Sequence, residues 1–273
     1  TTSKRADTKS LPDIVKETYT ERPISQFDPS SIDPFRSYAE VFNGDVAVQM
    51  NEEIIYSCKP TQSGKDSPAG IALPALMGGM NGLNITQDVV DAFYMEDGTS
   101  YVPFETAYEP IGVDKNFSGY RLLANTAKMH NNREMRFYVS IGFNHCLWPG
   151  TSYSGSDNSL RNVEVQYYAD GNAGPPPNYA VDYNHSGITL KKYVHPEDNL
   201  KGSIRPKSFP IFRYAEILLN YAEALNELDG SYTDGNITVT GRDENEILDA
   251  FNQVRYRAGL PGLTKLPSRE EMR

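Results

Sequence analysis

Clusters of positive charge are missing from this sequence. Asp and Glu outnumber Lys and Arg by 36 to 26, a formal net charge of -10, and the basic residues are scattered along the chain. A polyanion would meet repulsion where counterion release normally supplies most of its affinity, so no nucleic acid partner is expected. Long apolar runs are missing too: no window approaches the roughly 20 apolar residues of a membrane-spanning helix. The opening residues, Thr1 to Asp7, are polar, and no apolar stretch of the signal-peptide kind follows them.

Residues that carry chemistry are scarce. Cysteine occurs only as Cys58 and Cys146, too far apart for a CxxC motif and too few for a disulfide framework. One bridge and two buried thiols are both open. The four histidines, His130, His145, His185 and His195, never fall at i,i+4 spacing, so neither a metal nor another cofactor is expected. No Gly-rich phosphate loop or nucleophile elbow occurs. Acidic residues are many, but sequence fixes no separation between any two of them, so a glycosidase-type pair has no support and no catalytic residue is assigned.

What is present is a chain of 273 residues, 38% hydrophobic, long enough to bury a proper core. Residues 1–34 read as a connector, because Pro12, Pro23, Pro29 and Pro34 bracket a short helical run at Asp13 to Glu17. Asn51 to Ser57 predicts a short strand that gives way to a loop marked by Pro60, Gly64, Pro68 and Gly70. Thr86 caps a short helix with Val89, Val90 and Phe93 on its apolar face. Within residues 133–143, Phe137, Val139, Ile141 and Phe143 alternate with smaller or polar neighbours, which predicts a strand. Residues 149–190 are rich in Gly, Pro, Ser, Asn and Tyr, a long loop too aromatic for a mere linker.

From Ser208 the pattern turns helical. Ile211, Tyr214, Ile217, Leu218, Tyr221, Ala222 and Leu225 share one face, with Pro210 opening the helix and Gly230 past its end. A second helix starts at Asp243 as N-cap with Glu246 three residues on, buries Ile247, Leu248, Phe251 and Val254, and stops at Gly259 and Pro261. Two such helices make one helical hairpin, which needs neighbours to cover its remaining apolar face. The expected division is a connector over 1–34, a loop-rich ligand-facing region with short strands over 35–200, and a truncated hairpin over 201–273.

The segment from Phe212 to Glu227, FRYAEILLNYAEALNE, closely resembles the signature helix of SusD/RagB proteins, and Phe251 to Pro261, FNQVRYRAGLP, resembles the same family's next helix. Upstream, Glu53 to Tyr56 (EIIY), Thr86 to Gly98 and Asn132 to Phe137 (NREMRF) resemble further family segments in the same order. The resemblance implies a SusD-like fold, mainly α with short strands and long loops, built on a TPR-like helical-repeat scaffold. It also implies a non-enzymatic, lipid-anchored protein of the outer membrane that captures nutrients for a SusC-like TonB-dependent transporter. The family's N-terminal repeats, lipoprotein cysteine and final segment do not occur here, so a C-terminal piece is expected, with the anchor on the missing N-terminal part.

The resemblance places ligand loops at residues 57–84, where Lys59, Gln62, Met77, Met80 and Asn81 are the expected contacts. That loop has no aromatic residue, so a peptide competes with an oligosaccharide as ligand. The alternative for Leu76 and Met77 is ordinary core packing. Trp148, the sole tryptophan, with Tyr153 just beyond it, is expected as an aromatic platform, against the alternative of a packing anchor. Tyr168 comes from the aromatic loop that follows. Arg213, Arg255 and Arg257 are expected to tie segments together through carboxylates. The rival function is a helical-repeat interaction module without a small ligand.

Overall fold

A computed structural model describes residues 34–58, 66–117, 120–148, 163–176, 181–200 and 202–272. Elements follow in the order α1 (Pro34–Ala39), β1 (Ile54–Cys58), α2 (Pro68–Ala72), α3 (Gln87–Asp91), β2 (Lys115–Phe117), β3 (Tyr120–Leu122), α4 (Met135–Ser140), β4 (Ile141–Phe143) and β5 (Leu147–Trp148). Then come β6 (Val163–Glu164), β7 (Ile188–Leu190), β8 (Phe209–Arg213), α5 (Tyr214–Glu227), β9 (Ser231–Asp234), β10 (Ile237–Thr240), α6 (Glu244–Arg257) and α7 (Arg269–Met272). The strands pair antiparallel in twos, β1 with β8, β2 with β3, β4 with β7, β5 with β6 and β9 with β10. Among the described residues only α5 and α6 reach 14 residues. No helix among the described residues is long and apolar enough to cross a membrane.

The strand expected over 133–143 is instead a helix turn, α4, running into β4. Phe137, Tyr138, Val139 and Ser140 are all buried, so the segment has no solvent face. A short run buried on every side cannot be told from a strand by its alternation. The side chain of Arg133, fully enclosed just before α4, donates to Phe93 O at 2.9 Å, to Met129 O at 3.3 Å and to Val90 O. It thus ties the segment before α4 to carbonyls in and just after α3. The main core gathers around α4 and β4, with Phe137, Phe143, Leu73 and Trp148 among its enclosed members.

At the other end, Ala222 and Leu225 of α5 pack on Ile247 and Ala250 of α6. Asp243 caps α6, accepting from Asn245 N at 3.0 Å and Glu246 N at 3.1 Å. Pro210 does not open a helix: β8 carries the chain to Arg213, because Phe209, Pro210 and Phe212 pair with β1. The apolar face expected on α5 is therefore split. Ala222 and Leu225 are buried, whereas Tyr214, Ile217 and Tyr221 are exposed, since α6 covers only one side.

Three motif segments meet on one carboxylate. Glu53, buried before β1, accepts from Arg213 at 2.7 Å and from Arg257 at 2.9 Å, joining the start of α5 to the end of α6. Arg255 differs from expectation, its Nε donating to the Pro261 carbonyl at 2.8 Å rather than to a carboxylate. Cys58 and Cys146 are free thiols, the first exposed and the second buried, which closes the question of a bridge.

A second polar cluster surrounds Asp45, which accepts from His195 Nε2 at 3.3 Å and faces Arg36 and Arg205 at 3.3 and 3.4 Å. The hydrogen bond from His195, more than any other influence, holds the Asp45 carboxyl down at about 2 against the opposing effect of burial. His130 is shifted further. Burial, then the Arg133 charge, pulls its imidazole from 6.5 down to about 3. An unfolded chain takes up that proton below about 6.5, so stability is unaffected above this pH and falls as pH drops toward 3. Asp45 stabilises the fold above 3.8 and loses that contribution as pH falls through about 2. The expected result is that urea unfolding gives a free energy lower by about 2 kcal/mol at pH 5 than at pH 7, with the slope flattened in His130→Phe.

Candidate functional site

A cavity of about 710 Å³ opens beside β4 and β7, in the size range of small-molecule sites. Its described residues come from six segments, around Gln87, Tyr108, residues 125–130, residues 144–145, Tyr168 and residues 186–188, several of them fixed by backbone hydrogen bonds. Asn144 and His145 lie in the turn between β4 and β5. The Asn144 side-chain oxygen Oδ1 accepts from Tyr167 N at 2.9 Å, tying that turn to the segment bearing Tyr168. His145 has the left-handed φ of 67°, a conformation uncommon outside glycine, and its backbone N–H donates to Val165 O at 2.8 Å. Its Nδ1 pairs with Glu164, and its ring lies 5.7 Å from that of Tyr168.

Tyr168 is held outward by a tight turn. Gly171 N donates to Tyr168 O at 2.9 Å, and a Cβ on Gly174 would overlap that same carbonyl, so the turn requires glycine there. The opposite wall is Ser186 to Ile188. Asn184 Oδ1 accepts from Ser186 N at 3.1 Å and Ile188 N at 3.0 Å, while Asn84 Oδ1 accepts from His185 N at 3.1 Å. Met129 and His130 also line the cavity, and the His130 ring stacks on Phe143 at 4.4 Å and Phe137 at 5.6 Å. Tyr108 is 79% exposed and Tyr168 47%, so both tyrosines lining the cavity offer open ring surface.

Gln87, Asn125 and Asn144 add side-chain amides to the lining. Amides both donate and accept hydrogen bonds, and aromatic rings accept flat apolar faces. The combination suits a hydroxyl-rich ligand with apolar patches. Among the described residues no group of three or more His, Cys, Asp or Glu is arranged to hold a metal ion.

Of the residues expected at the ligand, Tyr168 lines this cavity. Trp148 does not fit the part of an open aromatic platform, because it is fully enclosed. A Cβ at Gly142 would sit 2.9 Å from its Cζ2, so the indole packs into the notch that glycine leaves in β4. Met77 is likewise enclosed in the main core. Asn81 is buried, its amide donating to Ala173 O at 3.4 Å and Asp182 O at 3.3 Å, which makes it a stitch between loops rather than an open contact. Met80 is half-buried and away from the cavity lining. Lys59, Gln62 and Tyr153 lie outside the described residues. Sequence reasoning passed over Tyr108, Asn125 and Asn144, single residues in loops with no periodic signal; His145 was weighed only as a metal ligand.

Residues 45–273 match the model of the SusD family. No curated protein matches the chain. Among solved structures, a SusD-like protein from Bacteroides fragilis is 24% identical, with a TM-score of 0.57 over 88% of this chain and 42% of its own. A SusD-like carbohydrate-binding protein from the same organism is 22% identical, with a TM-score of 0.55 over 86% of this chain and 39% of its own. The chain thus spans about two fifths of the length of these proteins, and at such identity the likeness is one of fold.

Proposed function

This chain belongs to the SusD family, and from that membership we propose that it binds a nutrient glycan at the cell surface and delivers it to a SusC-like TonB-dependent transporter. The observation that carries the reading is the cavity with Tyr108 and Tyr168 beside the amides of Gln87, Asn125 and Asn144. Carbohydrate binding by a solved protein of the same fold supports a glycan over a peptide. In this reading the protein captures and hands over its ligand without chemistry or cofactor. A lipid on a segment preceding this sequence anchors it to the outer membrane. The pair α5 and α6 is one hairpin of a TPR-like scaffold, and Lys59, Gln62 and Tyr153 are further loop contacts.

Titration calorimetry against a panel of glycans and peptides tests the ligand class. Heat from a glycan that is recovered intact after overnight incubation is the expected result. Binding of peptides alone, or glycan cleavage, would overturn the reading. Co-purification of the full-length protein with a TonB-dependent transporter from outer membranes tests the hand-over.

One observation favours a second reading, an interaction module that binds protein alone. Ile55 and Tyr56 of β1, Phe212 of β8, and Ile217 and Tyr221 of α5 are all exposed apolar side chains on paired or consecutive elements. Exposed apolar groups of this kind mark contact surfaces. Absence of any glycan binding together with transporter capture would favour it.

A further inference from the structure

Resting on the reading of the cavity as a glycan site, we propose that it selects uncharged oligosaccharides and rejects those bearing uronate, sialate or sulfate groups. None of the described residues that line the cavity is Lys or Arg, so no described side chain there presents a permanent positive charge. Lys128, between lining residues Ala127 and Met129, is paired with Glu109 at 2.6 Å. His145, through its Nδ1, is paired with Glu164. Gln87 donates its amide N–H to Asp91 at 2.7 Å, which leaves its oxygen available as an acceptor and a carboxylate close behind it. His130 stays neutral in its aromatic stack.

An anionic sugar entering here would lose hydration and meet no described Lys or Arg in the lining, while Asp91, bonded to Gln87, sets a carboxylate next to one of the lining amides. The net charge of -10 repels it at longer range. A neutral sugar meets neither cost. Its hydroxyls can exchange water for Gln87, Asn125 and Asn144, and its apolar faces can lie on Tyr108 and Tyr168.

The test is calorimetry with neutral oligomers of glucan, xylan, mannan and galactan beside oligogalacturonate, chondroitin sulfate oligomers and sialyllactose, at low and at physiological salt. Binding confined to neutral members, with affinity indifferent to salt, is expected. Asn125 is exposed and makes the clean charge probe: Asn125→Lys is expected to tighten an acidic oligomer on the order of tenfold at low salt, a gain that salt removes. An acidic oligomer bound by the unaltered chain as tightly as any neutral one overturns the proposal and leaves the glycan reading standing. So does a neutral ligand whose acidic counterpart gains nothing from Asn125→Lys. Failure of every oligomer, with circular dichroism showing the chain folded, removes the glycan reading itself and this inference with it.

Discussion

Trp148→Ala is expected to lower the unfolding free energy by about 3–5 kcal/mol, the cost of a large enclosed aromatic side chain and the void it leaves. The indole is fully buried and packs against Gly142, whose missing Cβ makes room for it. Trp148 pairs with Val163 across β5 and β6, and these strands flank the turn that carries Asn144 and His145 on one side and lead to Tyr168 on the other. Its removal therefore acts on the cavity through the fold. Urea unfolding measures the loss, and glycan affinity should survive in the milder Trp148→Phe, which keeps an enclosed ring. Unchanged stability combined with abolished affinity in both variants would make Trp148 a ligand platform instead.

Glu53→Ala should cost a similar amount, about 3–5 kcal/mol, by a different route. One buried carboxylate serves two guanidiniums, Arg213 at 2.7 Å and Arg257 at 2.9 Å, and Arg257 is itself buried. Removing it leaves a positive charge in the interior with no countercharge from this group, and releases the join between β1, β8 and α6. Burial already pulls the Arg257 guanidinium below its ordinary pKa, with Glu53 the first charge opposing that shift. Glu53→Gln, which keeps the shape and loses the charge, is expected to fall between the two. Urea unfolding of the three proteins checks the order, and a fully stable Glu53→Ala would refute the role assigned to the triad.

The elements that were legible in the sequence are those with local signals. The cap of α6 is read from Asp243 and Glu246 and is seen as two hydrogen bonds to the Asp243 carboxylate. The stop is read from Gly259, whose φ of 77° needs a residue without a Cβ for easy access. β1 follows from its β-branched and aromatic centre. Residues 133–143 misled because burial on all sides removes the contrast that a period records. Pro210 misled for the opposite reason: it suits a helix start, but pairing of Phe209 and Phe212 with β1 decides the backbone there.

The cavity was almost invisible by comparison. Trp148 drew attention as a rare aromatic beyond a strand, yet rarity carries no information about exposure. Tyr108, Asn125 and Tyr168 come together only because three loops meet, and the bonds that bring them there span distant residues, such as Lys128 N to Glu109 O and Tyr167 N to Asn144 Oδ1. Family motifs, by contrast, mark the scaffold: Glu53, Arg213 and Arg257 each belong to a different signature segment and share one ion-pair site.

The most direct measurement is glycan titration of the Tyr108→Ala/Tyr168→Ala double variant beside the unaltered chain. Both rings are open to solvent, so melting behaviour should change little. Loss of two stacking faces should weaken binding by about 2–4 kcal/mol, a fall on the order of a hundredfold. A folded double variant that binds its glycan as well as the unaltered chain would contradict the assignment of this cavity as the ligand site.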